Sequence, residues 1–310
     1  MIRQNVPLKD YSNYKIGGPA SYFLEINSKE DFIKGLEDWK QLNLQKPIFI
    51  LGKGTNILIS GNGFDGLIIY NAIKGIEKNG DTIAAGAGEL MSDIVKFCVD
   101  NSLSGLEWAG GLPGTVGGAV RGNAGAFKGE TKDSVWKVVS INLNSLEVKT
   151  RENAQLSFDY RNSIFKMDAK DEMILSVTLK LTPGEKDTIK RLTEEKINYR
   201  NEKHPMEYPN IGSTFKNIRK ELVPDEFKDE LMQYAKDDPF PIIPVAKILY
   251  LCNLKGKREG DAQISEKHPN FIVNLGNAKY EDVKKLISFA KDAVKNRYGI
   301  VLEEEIMYLE

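Results

Sequence analysis

The sequence predicts an α+β protein, and three features carry that reading. Short apolar runs such as Pro47-Ile48-Phe49-Ile50-Leu51, and the alternating run from Ile174 to Leu181, read as strands. Helical patterns are interspersed among them without regular βα alternation, the clearest being Tyr280 to Tyr298. Between them lies Gly110 to Gly129, where eight of twenty residues are Gly against 27 in all 310. Glycine at that density suits sharp turns or close approach of a ligand to the backbone. Many unobstructed amide groups are then expected to face the phosphates of a nucleotide or dinucleotide. A packing crossover between two sheets is the alternative reading of the same stretch. There is no GxGxxG, so a doubly wound dinucleotide fold has no support.

Size and composition bound the rest. At about 100–200 residues per domain, a chain of 310 holds two or three. A hydrophobic share of 41% and a charged share of 28% suit a soluble protein with real cores. The formal net charge is −1, with neither half basic or acidic, which argues against binding nucleic acid or anionic membrane through bulk charge. No apolar run nears the roughly 20 residues that span a bilayer, and Met1 to Pro7 lacks a signal peptide's apolar segment. Cys98 and Cys252 sit far apart in apolar surroundings and read as free buried thiols. His204 and His268 are the only histidines and no ligand-spaced cluster exists, so no transition metal is expected. The expected location is the cytoplasm.

Taken in order, Tyr14 to Ala20 is a turn and Ser21 to Ile26 a strand. Ser28 followed by Asp31 marks a helix start, with Phe32, Leu36 and Trp39 on one face and an end near Asn43. The run Pro47 to Leu51 leads through Gly52-Lys53-Gly54-Thr55-Asn56 into Ile57-Leu58-Ile59, either a structural hairpin or a second phosphate-compatible loop. That loop lacks Walker spacing and no helix follows it. Two short strands fill 66–88, and Ser92 opens a helix with Ile94, Val95, Cys98 and Val99 inward. Val135 to Ile141 and Leu146 to Thr150 form a hairpin around Asn144-Ser145. Leu175, Val177, Leu179 and Leu181 share one strand face before Pro183-Gly184. A charged helix over 185–203 follows, then a surface helix over 225–236, a Pro-rich turn from Asp238 to Pro244, and a short strand at Phe271-Ile272-Val273. The last strand, Ile300 to Leu309, carries Glu303, Glu304 and Glu305, with 303 and 305 on one face.

Together, eight segments resemble the flavoprotein family of UDP-N-acetylenolpyruvoylglucosamine reductases, also called UDP-N-acetylmuramate dehydrogenases. They are Asn13 to Ala20, Leu51 to Leu58, Gly105 to Val120, Asn123 to Ala126, Tyr160 to Lys166, Gly212 to Asn217, Ala262 to Asn274 and Gly299 to Glu305. They keep the family's order and span nearly the whole chain. The resemblance implies a two-lobed FAD-binding unit of PCMH type, with lobes at 1–72 and 73–184. A smaller α+β substrate-binding domain at 185–299 and a C-terminal strand at 300–310 would follow. It further implies that FAD is held by Gly52, Lys53, Gly54, Thr55 and Asn56 and by Gly110, Gly111, Pro113, Gly114, Thr115, Gly117, Gly118, Ala119, Asn123, Ala124 and Gly125. NADPH would be the co-substrate and a UDP-sugar the substrate, with no obligatory protein partner.

The implied chemistry has two halves: hydride passes from NADPH to flavin N5, then from the flavin to the vinyl carbon distal to the carboxylate, and the adjacent carbon is protonated. Charge pushed into that carboxylate needs stabilising. Arg161 matches the family's active-site Arg, and a planar fork suits a carboxylate. Glu305 matches the Glu that acts beside it, and the motif alone separates it from Glu303. Ser213 matches the proton donor, a weak acid suited only to a strongly basic carbon; read alone, it is a turn or cap serine. Lys203, Asn217 and His268 match substrate-binding positions. The spacing from Arg161 to Ser213 fits the shorter, type II form. Ile218 stands where Pro is usual, 219–244 is longer than expected, and Tyr250 stands where an acid is common. Two other readings remain. One is a different FAD oxidoreductase acting on a small alcohol or sugar, although such oxidases often bind flavin through a His and neither His lies in the FAD segments. The other is a binding module without activity, which would be favoured by a broken catalytic trio.

Overall fold

The computed structural model describes residues 1–310. The chain forms two compact units, each assembled from separate stretches. Unit 1 is Met1–Val6, Ala20–Lys53 and Asp65–Asn198; unit 2 is Pro7–Pro19, Gly54–Phe64 and Tyr199–Glu310. The continuous spans expected from sequence, with breaks after residues 72, 184 and 299, therefore do not coincide with these units. The reason lies in the early segments of unit 2, whose hydrogen bonds are made far down the chain. Tyr14 donates its hydroxyl to Ile272 O at 2.8 Å, Asn13 Nδ2 donates to Asn210 O at 2.7 Å, and Ser60 N donates to Leu309 O at 2.8 Å.

In unit 1 a four-stranded sheet runs Arg3–Pro7, Pro19–Ile26, Phe64–Asn71, Ile48–Leu51, the last two parallel. Helix α1 (Lys29–Gln41) starts where the sequence predicts, Ser28 Oγ accepting from Asp31 N at 3.0 Å. Its buried Phe32, Leu36 and Trp39 pack on Leu24, Ile26, Leu67 and Ile69. A five-stranded antiparallel sheet runs Val148–Glu152, Val135–Asn142, Glu172–Lys180, Thr82–Gly86, Ile76–Asn79. The stretch 66–88 thus carries more strand than the two short runs expected. Helix α2 (Met91–Asp100) buries Ile94, Val95 and Cys98.

The expected alternation in Glu172–Lys180 breaks at a bulge. Val139 pairs with Ser176 and Ser140 with Ile174, so Leu175 is the extra residue. Leu175 and Met173 consequently join the core under α1, while Ile174, Val177, Leu179 and Leu181 join the core under α2. One strand thereby serves two cores. Helix α3 (Val116–Gly122), inside the glycine-rich stretch, was not expected; Thr115 caps it, its hydroxyl accepting from Gly118 N at 3.2 Å. Helix α4 (Lys186–Lys203) follows the sheet in sequence.

In unit 2 the strand Ile57–Ile59 pairs in parallel with Met307–Leu309. Of the two readings that the sequence leaves open for the Gly52–Asn56 loop, the hairpin with the preceding strand is therefore set aside. Gly54 turns the chain at φ +63°, where a Cβ would stand 2.2 Å from Tyr11 O, so only glycine fits. In place of one helix over 225–236 there are two single turns around a four-residue α5 (Lys228–Leu231). The expected Pro-rich turn includes a strand, Pro241–Ile243, between Ile218–Arg219 and Lys236–Asp237. Helix α6 (Val245–Leu251), a three-stranded sheet (Arg258–Glu259, Ala262–Ile264, Ile272–Asn274) and α7 (Tyr280–Tyr298) complete the unit. All five predicted inward residues of α7 are buried, and Gly299 ends it at φ 66°. Only Met307–Leu309 of the predicted last strand is regular; Glu304 makes a single bridge to Phe215. No helix is long and apolar enough to cross a membrane.

Candidate active site

The glycine-rich segment of unit 1 divides into two kinds of glycine. A Cβ on Gly117 would meet Ala87 Cβ and O, each at 2.9 Å, and one on Gly110 would meet Thr193 O at 2.6 Å. Gly111 and Gly114 stand at φ 74° and 108°. These positions need glycine for packing or turning. Gly118 is exposed, with only Thr115 Oγ1 near its Cβ position at 3.4 Å, and Gly122 faces open space. The first-turn amides of α3 are bonded within the protein: Val116 N to Glu89 O, Gly117 N to Ala87 O, Gly118 N to Thr115 Oγ1 and Ala119 N to Thr115 O. The expectation of many unobstructed amides is corrected for these four. Gly52 is brought beside Thr115, its Cβ position 3.0 Å from Oγ1, so the two predicted loops meet there. Lys53 is exposed next to it, and Pro113 is exposed as well. The open backbone at Gly118 and Gly122, the confluence of Gly52 with Thr115, and one exposed ammonium fit a dinucleotide phosphate.

Asn123 closes α3 at φ 41° and is fully buried. Its Nδ2 donates to Glu130 Oε1 at 3.1 Å and Asp159 O at 3.0 Å, while Oδ1 accepts from Lys132 N. Ala124 N returns to Ala119 O. Asp159 and Asn162 exchange both backbone hydrogen bonds, leaving Tyr160-Arg161 as a two-residue turn with Arg161 at φ 56°. Arg161 Nη2 donates to Gly125 O at 2.8 Å, its guanidinium lies 4.9 Å from the Tyr160 ring centre, and Lys166 Nζ donates to Arg161 O at 2.6 Å. Arg161 is thereby anchored to the end of the glycine-rich segment.

In unit 2 the segment Ser213–Asn217 is gripped along both edges. Glu305 N donates to Thr214 O at 2.8 Å and Lys216 N to Glu303 O at 2.9 Å, which sets the backbone of Glu305 opposite Thr214, the residue after Ser213. Of the three acids, Glu303 pairs with Lys216, and Glu304 pairs with Lys291 at 2.8 Å and with the Tyr308 hydroxyl. The predicted cofactor residue Asn56 meets the same place, its Nδ2 on Glu305 O at 3.0 Å; Gly54 O accepts from Asn13 N, and Thr55 lies between them. Asn217 Oδ1 accepts from Val245 N at 3.1 Å, at the start of α6. Lys203 is exposed and bonded to Glu202, whose carboxylate raises its pKa.

His268 packs edge-on against His204, ring centres 5.2 Å apart, and both contact Phe271. Burial lowers both pKa values to about 4, helped at His204 by His268 and Arg200 and at His268 by Lys255 and Lys236. His268 also lines a cavity of about 570 Å³. Lys236, Lys247, Lys255 and Lys267 line that cavity with Tyr234 and Tyr250. The ammonium of Lys247 lies 4.3 Å from the Tyr234 ring centre and 4.6 Å from that of Tyr250. Sequence reasoning missed these lysines; scattered over 32 positions among many solvated ones, they carried no local signal. Of the cavity lining, sequence reasoning singles out His268 and Tyr250.

Comparison with known proteins decides the family. The model of an FAD binding domain matches residues 20–144, and that of the UDP-N-acetylenolpyruvoylglucosamine reductase C-terminal domain matches 204–309. The reductase of that name from Clostridium novyi is 34% identical over 98% of this chain and 91% of its own. That from Syntrophus aciditrophicus is 36% identical over 97% and 89%. This chain belongs to the UDP-N-acetylenolpyruvoylglucosamine reductase family. The crystal structure of the reductase from Thermus caldophilus superposes with a TM-score of 0.76 at 28% identity, each chain covered in full. The predicted α+β class, with an FAD-binding part and a distinct C-terminal domain, is the architecture of this reductase family. The chain is accordingly an FAD-binding oxidoreductase.

Proposed function

We propose that this chain is the NADPH-dependent reductase that converts UDP-N-acetylenolpyruvoylglucosamine to UDP-N-acetylmuramate for peptidoglycan precursor synthesis. The observation that supports the reading is the bond from Glu305 N to Thr214 O, which joins the segment of Glu305 to that of Ser213, in a chain related over nearly its full length to reductases of that name. FAD, when bound, relays hydride from NADPH to the enolpyruvyl group. Gly52, Lys53 and the stretch Gly110–Gly125 of unit 1, with Gly54, Thr55 and Asn56 of unit 2, are assigned to holding it.

The rest of the chemistry belongs to side chains of this chain. Arg161 offers guanidinium donors to the substrate carboxylate, where negative charge grows as hydride arrives. Its strained turn and its bond to Gly125 hold the fork in one orientation. Glu305 acts on the same carboxylate. Ser213 Oγ holds the proton that passes to the carbon next to it, which is basic enough to take a proton from a hydroxyl. Lys203, Asn217 and His268 bind the sugar nucleotide, and the four cavity lysines match the charge of its diphosphate. A charged, water-soluble nucleotide substrate suits a cytoplasmic enzyme.

The test is an anaerobic stopped-flow titration of the FAD-loaded protein. NADPH should bleach the flavin absorbance, and UDP-N-acetylenolpyruvoylglucosamine should then restore it. Ser213→Ala should lose only the recovery. Bleaching without recovery in the parent protein would refute the substrate assignment.

A further inference from the structure

The segment that carries Ser213 has two edges. Along one, Glu303 to Glu305 pair with it in strand fashion. Along the other stands a single residue. Asn270 accepts from Thr214 N through its own carbonyl at 2.7 Å, accepts from Phe215 N through Oδ1 at 3.0 Å, and donates from Nδ2 to Phe215 O at 2.8 Å. A carboxamide presents one donor and one acceptor side by side, as a peptide unit does. Asn270 thus replaces a neighbouring strand, and it is 3% exposed with Phe215 at 2%. Its own place is fixed by the tight turn before it, where Phe271 N donates to His268 O and Ser265 N to Phe271 O.

We propose that Asn270 is a positioning residue for the Ser213 hydroxyl, its three hydrogen bonds fixing the Thr214–Phe215 backbone and with it the residue immediately before. Among the bonds to the Thr214 and Phe215 backbone, only those from Asn270 include a side chain, because Thr214 O is held by Glu305 N. With the Nδ2 donor lost, Phe215 O is buried without its partner, and the Phe215–Lys216 peptide shifts to relieve it, loosening the backbone that leads back through Thr214 to Ser213. A proton donor held too loosely loses rate in the proton-transfer step alone. Misplacement by about 1 Å is worth up to about a hundredfold.

The inference rests on Ser213 as proton donor, so both are tested in one experiment. Asn270→Asp keeps the acceptor for Phe215 N and removes the donor to Phe215 O. Bleaching by NADPH, measured per bound FAD, should stay within about twofold of the parent, while recovery on adding substrate slows by about ten- to a hundredfold. Asn270→Gln, which keeps both amide groups on a longer arm, should show the same split and serves if the Asp variant does not fold. The control is Asn274, also buried, whose Nδ2 donates to Tyr14 O and whose Oδ1 accepts from Gly276 N and Ala278 N. Asn274→Asp should lower the melting temperature and shrink both phases alike, without changing the ratio of the two rates. If Ser213→Ala recovers at the parent rate, the proton-donor assignment fails. If Ser213→Ala slows recovery but neither Asn270 variant does, Ser213 stands and the role of Asn270 is refuted.

Discussion

Two glycines of the seven-residue helix α3 should respond in opposite directions to the same substitution. At Gly117 an added Cβ would lie 2.9 Å from both Ala87 Cβ and Ala87 O, against 3.4–4 Å for ordinary contact, so the gap must open by about half an ångström. Ala87 cannot retreat. It is 1% exposed, its N donates to Leu175 O, and its O accepts from Gly117 N, both at 2.9 Å. Overpacking of this kind costs about 1–3 kcal/mol. At Gly122 nothing lies within 4 Å of the added carbon. Both changes gain up to about 1 kcal/mol from helix propensity and a less flexible unfolded chain. That gain nearly cancels in the comparison. Gly117→Ala should therefore be less stable than Gly122→Ala by about 1–3 kcal/mol, with Gly122→Ala at or slightly above the parent. Urea midpoints of the apoprotein measure the difference free of ligand linkage. Equal midpoints for the two variants would refute the contact argument at Ala87.

Other perturbations follow from the same geometry. With folded pKa values near 4 at His204 and His268 against 6.5 unfolded, the unfolded chain binds more protons between those limits. Stability from the two sites should be complete above about pH 6.5 and be lost as pH falls towards 4, on the order of 3 kcal/mol each, and His204→Gln should flatten that slope in urea midpoints. Arg151→Met should destabilise by about 3–5 kcal/mol, because it strips Nη1 and Nη2, at 2.6 and 2.8 Å, from a Glu172 side chain only 5% exposed. The double variant with Glu172→Met should recover most of that loss in the same denaturation assay. Lys166→Met removes the ammonium on Arg161 O and should slow flavin recovery about tenfold with bleaching unchanged; recovery as fast as the parent's would rule out a role in holding the Arg161 turn.

What the sequence disclosed was local. Ser28 and Asp31 start α1 where predicted, and the apolar stripe of α7 gives its full span from Tyr280 to Tyr298, because caps and a 3.6 period act within a few residues. Register and partner choice act across the chain and stayed hidden. The bulge at Leu175 flips part of a strand to another core, and nothing adjacent announces it. The turn at Gly54 looks like a hairpin until Tyr11 is seen against it. At the site, alternation put Glu303 and Glu305 on one face; in the structure Glu303 is exposed on Lys216 while the backbone of Glu305 meets Thr214. The glycine count suggested a ligand, yet Gly110 and Gly117 are required by backbone that only coordinates reveal.

The parallel pairing of Ile57–Ile59 with Met307–Leu309 has a consequence for synthesis. Asn56 and Glu305, bonded just ahead of these strands, are 249 residues apart. At about 5–20 residues per second, an apolar run leaves the ribosome roughly 10–50 s before its partner strand exists. Throughout that interval Ile57-Leu58-Ile59 is an unpaired edge of the sort that recruits other chains. A nascent chain stalled before Met307 should thus remain open to protease at that strand and bound by holding chaperones, and release after residue 310 should close it.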